Sequence, residues 1–82
     1  MITWDEPKRA KNIESHGWDF AALSPEFFAE AKIVPAKLDR FKAIGPFEDT
    51  VISVVFKPLG SEALTVISMR HASRKERREW ES

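Results

Sequence analysis

Between residues 32 and 70 the chain is a series of short runs rich in apolar and β-branched side chains, broken by prolines and glycines. The runs cover residues 32–34, 40–44, 51–57 and 63–70, and Pro35, Gly45-Pro46 and Pro58-Leu59-Gly60 punctuate them as turns. Connections this short leave no room for a parallel crossover, so the four runs predict an antiparallel meander. No other feature limits the fold so strongly, because whatever precedes and follows the meander must then cover it.

The flanking segments read as helices. Ile2-Thr3-Trp4 alternates apolar and polar and predicts a short strand. Asp5 is then placed as an N-cap with Pro7 in the first turn, and the helix runs to His16 and stops at Gly17. Ser24-Pro25-Glu26 opens a second, shorter helix through the next few residues. At the other end Ser73-Arg74-Lys75-Glu76 fits a capping box and predicts a helix over residues 74–80. The predicted order is β-α-α-β-β-β-β-α. It describes an α+β fold: an antiparallel sheet of four to five strands, two N-terminal helices and a C-terminal helix.

Size and composition bound what this fold can do. At 82 residues, 43% of them hydrophobic, residues 1–82 predict a single domain with its own core. There is no cysteine, and the two histidines lack a cluster of carboxylate partners, so neither a metal nor a cofactor is expected. No apolar run approaches the ~18 residues needed to cross a bilayer, and the expected location is the cytoplasm. Net charge is zero, but residues 1–31 hold three cations against six acids and residues 32–82 hold ten against seven. A polyanion site is therefore expected in the C-terminal part.

Several side chains could carry chemistry, and each also has a plain structural reading. Lys8, Asn12 and His16 are four apart and form one row along the first helix, offering a cation, an amide and an imidazole. The same row could be a solvated Lys, a locally bonded Asn and a helix-ending His. Regular alternation in the last strand puts Leu64, Val66, Ser68 and Arg70 on one side and Thr65, Ile67 and Met69 on the other. Arg70 then leaves the strand end either free for an anion or tied in an ion pair. Arg40 and Lys42 share a strand face and could grip a phosphate. Arg74, Arg77 and Arg78 form a basic stripe on the last helix, useful for phosphates or merely solvated. Trp80 could stack on a base or pack the helix down, while Trp4 and Trp18 read as core or partner-facing. Nucleotide-binding glycine loops, nucleophile elbows and zinc-protease motifs are all missing.

The segment WDEPKRAKNIESHGWDF resembles the N-terminal signature of the BrnT toxins, W-D-E-x-K-x-x-x-N-x-x-x-H-G-x-x-F, through Trp4, Asp5, Glu6, Lys8, Asn12, His16, Gly17 and Phe20. DRFKAIG resembles that family's central strand through Arg40, Phe41 and Gly45, and VISMRHASRKERREWE resembles its ending through Ile67, Ser68, Arg70, Ala72, Glu76 and Arg77. The chain departs from the family pattern at Ser15, Thr65 and Trp80, where Lys, Arg and Tyr are frequent. The resemblance implies a RelE-like ribonuclease toxin of a bacterial type II toxin–antitoxin system, arresting translation by cutting RNA. It also implies neutralisation by a BrnA-like antitoxin whose ribbon-helix-helix part binds DNA, so that DNA is met only through that partner.

On this reading RNA is cut without a metal. His16 transfers the proton and Arg40 and Arg70 hold transition-state charge, with Lys8 and Lys42 as secondary candidates. Arg74 and Arg77 bind flanking phosphates and Trp80 offers a stacking face; His71 is a second proton-transfer candidate. His16, Arg40 and Arg70 are expected to converge at one groove beside the last helix. Two rival readings remain: a non-catalytic module that mainly pairs with the antitoxin and assists operon repression, and a plain RNA-binding domain.

Overall fold

A computed structural model describes residues 1–82. Five strands form one sheet: β1 (Ile2–Trp4), β2 (Lys32–Pro35), β3 (Phe41–Phe47), β4 (Thr50–Leu59) and β5 (Ala63–His71). Their spatial order is β1-β5-β4-β3-β2, and β2 to β5 are the antiparallel meander. The sheet as a whole is mixed, not antiparallel, because β1 pairs in parallel with β5 through Ile2↔Leu64, Thr3↔Thr65 and Trp4↔Val66. Two helices and the strands β2 to β4 separate these strands in sequence, which supplies the long connection that a parallel pair requires.

The helices are α1 (Glu6–His16), α2 (Pro25–Glu30) and α3 (Arg74–Glu81), with a 3-10 turn at Phe20–Ala22. Gly17 ends α1 at φ 76°, a left-handed conformation that costs glycine little, and donates its N–H to the Ile13 carbonyl at 2.8 Å. Asp5 and Ser24 take extended N-cap geometry without a side-chain capping bond, whereas Ser73 and Glu76 form the complete capping box.

One face of the sheet carries the core. Phe20, Leu23 and Phe27 pack onto Ala43, Ile52, Val54, Phe56, Val66 and Met69. Edge-to-face contacts of Phe28 with Phe27 and Phe56, and of Trp18 with Phe47, extend it outwards. The other face carries α3 over one end.

Gly45-Pro46 is not a turn but the interior of β3. A Cβ on Gly45 would stand 3.1 Å from the Ala31 Cα, so the glycine lets the end of α2 approach the sheet. Pro46 lies beyond the last β2 partner, Lys32↔Ile44, where a missing N–H breaks no ladder on that side. Tight turns fall instead at Glu48-Asp49, between the partners Phe47 and Thr50, and at Leu38-Asp39. Leu38 and Asp39 both have positive φ (61° and 59°), the signature of a type I′ turn, closed by the Arg40 N–H to the Lys37 carbonyl at 3.2 Å.

The most consequential departure from regular alternation is in β5. Val55 pairs with Ser68 but Phe56 pairs with Val66, so Ile67 is an extra residue, a β-bulge. Val66 and Met69 consequently both face the core, while Ser68 and Arg70 lie on the α3 side. The expected grouping of Val66 with Ser68 and Arg70 fails at this single residue.

Candidate active site

After Trp4↔Val66 the strand β1 ends and β5 loses its neighbour, leaving backbone groups at Met69 without a ladder. Asn12 takes the place of a strand. Its Oδ1 accepts from the Met69 N–H at 3.1 Å, and its Nδ2 donates to the Met69 and Trp18 carbonyls, each at 2.9 Å. The side chain is buried and every bond is made by an amide matched to an amide, so α1 is fixed along the strand edge. Asn12 thus joins a local bond, to Trp18 six residues on, to a pair of bonds with a strand residue 57 positions away.

That docking creates a groove of about 310 Å³ between α1 and the bulge. Lys8, Lys11, Asn12, Ser15 and His16 line it from the helix, and Ile67 and Ser68 from β5. At roughly 100° per residue, the five helical positions fall within about 140° of arc, which is why one helix face can supply them all. No carboxylate lines the groove. Neither lysine is paired: on α1 the ion pairs belong to Arg9, which bonds Glu6 at 3.0 Å and Asp19 at 2.7 Å. Two ammonium groups, an imidazole and two hydroxyls facing one open space are suited to a phosphodiester, supplying charge, hydrogen bonds and a proton acceptor.

A second cluster lies on the α3 side. Glu76, with 3% of its surface exposed, takes both Arg70 terminal nitrogens at 2.9 Å, the Lys42 ammonium at 2.9 Å, the Ser53 hydroxyl at 3.2 Å and the Ser73 N–H at 2.8 Å. Burial pushes this carboxyl up, but Arg70, the Ser73 amide and Lys42 outweigh it and hold the pKa at about 2. Two cations against one carboxylate leave the cluster with a net charge of +1, and Arg70 and Lys42 remain 36% and 26% exposed. Glu76 therefore steadies two cations without cancelling them.

The expected convergence of His16, Arg40 and Arg70 is not formed. His16 and Lys8 share the groove; Arg70 and Lys42 meet at Glu76. Ser68 and Arg70 share a sheet face two residues apart, so the clusters adjoin across about 7 Å of strand. Arg40 belongs to neither: it precedes β3 and closes the hairpin through its backbone, accepting from the Ala36 N–H at 2.9 Å. Arg74 and Arg77 are exposed on α3 and Trp80 is half-buried. The sequence reading missed Lys11, Ser15 and Ser68 as groove residues; helical spacing from Lys8 could have flagged the first two, but the bulge that turns Ser68 has no such signal. Nor is the polyanion-suited groove confined to the C-terminal part, since its two lysines come from the acidic N-terminal segment.

A five-stranded mixed sheet with three α-helices, bearing an acid-free cationic groove with a histidine, defines a small α+β protein equipped for phosphodiester chemistry. The family model described as "Ribonuclease toxin, BrnT, of type II toxin-antitoxin system" matches residues 4–76, and the chain belongs to this family of toxins. It is similar to the Brucella abortus ribonuclease toxin BrnT, known from a 1.1 Å crystal structure, with 61% sequence identity and a TM-score of 0.83 over 89% of this chain and 96% of that one. No curated protein sequence matched the chain.

Proposed function

We propose that residues 1–82 are a single RelE-like toxin domain that cuts RNA internally without a metal and so arrests translation in the cytoplasm. The observation that carries this reading is the groove, where His16 stands with two unpaired lysines and no acid. His16 accepts the proton of a ribose 2′-hydroxyl and the 2′-oxygen attacks phosphorus. The bond to the 5′-oxygen breaks, that oxygen takes a proton from solvent, and a 2′,3′-cyclic phosphate and a 5′-hydroxyl result. Lys8, with Arg70 and Lys42 steadied by Glu76, supplies positive charge to the pentacoordinate phosphorus, and Arg40, before β3 and separated from β5 by β4, adds longer-range positive potential. Arg74 and Arg77 hold flanking phosphates, and the Trp80 indole offers a base an aromatic face. The restraining partner is a BrnA-like antitoxin with a ribbon-helix-helix part, and DNA is reached only through it.

Purified protein should cleave RNA in excess EDTA, and His16→Ala should slow cleavage by about 10²–10⁴-fold, the usual contribution of a positioned acid–base group. Arg70→Ala and Arg40→Ala should cost progressively less. Cleavage abolished by EDTA would overturn the metal-free reaction, and wild-type rates in all three folded variants would overturn the assignment of residues. A wild type that binds an antitoxin but never cuts RNA would mark a binding module instead.

A further inference from the structure

The groove holds more than His16 and Lys8 need. Lys11 and Ser15 stand one turn apart on α1, Ser15 directly precedes His16, and Ser68 lies across the groove on β5. At about 1.5 Å per residue, Lys11 is about 7.5 Å from His16 along the helix axis and Lys8 about 12 Å. Lys11 is the closer along the axis but lies about 140° round the helix from His16, against about 80° for Lys8, so an anion held by Lys11 and the imidazole together sits across the mouth of the groove. Its ammonium makes no ion pair, even with Glu14 three residues on; Glu6, the acid a turn and a half before it, is occupied by the Trp4 indole and Arg9. The hydroxyls that form hydrogen bonds belong to Thr3, Ser53, Ser73 and Ser82, leaving those of Ser15 and Ser68 available to a ligand.

We propose that Lys11, Ser15 and Ser68 form a subsite for one phosphodiester group beside His16. The ammonium supplies charge from one side and the two hydroxyls donate hydrogen bonds from the helix and from the bulged strand. The small Ser15 side chain leaves room for the phosphate, and because it is one turn from Lys11, a lysine at 15 would bring its ammonium to the same space. This subsite rests on the ribonuclease reading above and names the residues that would seat the bond to be cut.

The test measures binding of a single-stranded oligodeoxynucleotide, which lacks the 2′-hydroxyl and stays intact, together with cleavage of the matching RNA. Four proteins are compared: wild type, Lys11→Ala, Lys11→Ala/Ser15→Lys, and Lys37→Ala as an exposed cation on the β2–β3 hairpin. Loss of one phosphate contact should reduce the slope of log K against log salt by about 0.7 in Lys11→Ala. It should also lower kcat/KM for RNA about tenfold, the equivalent of one charge-assisted contact, without changing the shape of the pH profile. The double variant restores the charge but not the Ser15 hydroxyl, so it should recover the salt slope and part of the rate. If wild type cleaves RNA and Lys11→Ala matches Lys37→Ala, or the double variant recovers nothing, the subsite is wrong while the ribonuclease reading stands. If wild type neither binds nor cleaves, the ribonuclease reading fails first and the subsite with it.

Discussion

Glu76 closes the cap of α3, and it also anchors Arg70 and Lys42 to the sheet. Removing one partner from a buried ionic group leaves the others uncompensated, so Glu76→Ala should destabilise the fold by about 3 kcal/mol in urea unfolding, the low end for buried pairs because the cations are part-exposed. The pH dependence follows from its depressed pKa, about 2 against an ordinary 4.5. The folded chain keeps this carboxylate ionised where the unfolded chain has protonated it. Its contribution is therefore full above pH 4.5 and is lost as pH falls towards 2, by at most about 3 kcal/mol. Asp19, held down to about 2 by Arg9 and the Ala21 amide, acts in the same direction. Chemical denaturation from pH 7 to 2.5 should show this fall in wild type and a flatter profile in Glu76→Gln; equal slopes would dismiss Glu76 as the source. The S-x-x-E spacing made the cap legible in sequence, whereas its capture of two cations was not, because residue identity does not say which of ten C-terminal cations a buried acid will meet.

Elements were legible where a local rule dominated. β-branched runs marked the meander, and Gly17 marked the end of α1 to the residue. They were illegible where one residue served a distant neighbour: Gly45 reads as a turn until α2 is seen against it, and Ile67 reads as ordinary alternation until β4 is counted alongside. The bulge has a testable role. Deleting Ile67 restores a regular ladder while keeping every β4–β5 partner and leaving Val66 and Met69 on the core face. Stability should therefore stay within about 1 kcal/mol, since no packed core residue is lost. RNA cleavage should fall by about tenfold or more, because the groove loses one wall. Thermal melts and cleavage assays on the deletion separate the two effects, and full activity in the shortened strand would show that the bulge does not aim the site.

At the scale of the whole molecule, a net charge of zero conceals an arrangement that sequence halves did not resolve. The N-terminal segment is acidic on average, yet α1 turns its lysines towards β5 and leaves its acids to Arg9, the Trp4 indole and solvent. Tertiary docking sets this segregation, with Asn12 as its pivot, and nothing in a linear charge count anticipates it. The parallel placement of β1 is likewise a whole-molecule outcome: a three-residue strand carries no directional signal, and the free edge of β5 is where it can pair.

The strand-like clasp of Asn12 on Met69 also gives the molecule a built-in clock. An amide within a ladder exchanges its hydrogen when strands part, but the Met69 amide is covered by a side chain from another element and is released when α1 lifts. Its exchange with deuterated solvent therefore times the opening of the groove, separately from unfolding of the sheet. Asn12→Ala should speed exchange at Met69 far more than at Val54, its partner across the ladder. A ligand that bridges α1 and β5 should slow it. If Met69 and Val54 exchange at one common rate in every variant, helix and sheet open as a single unit.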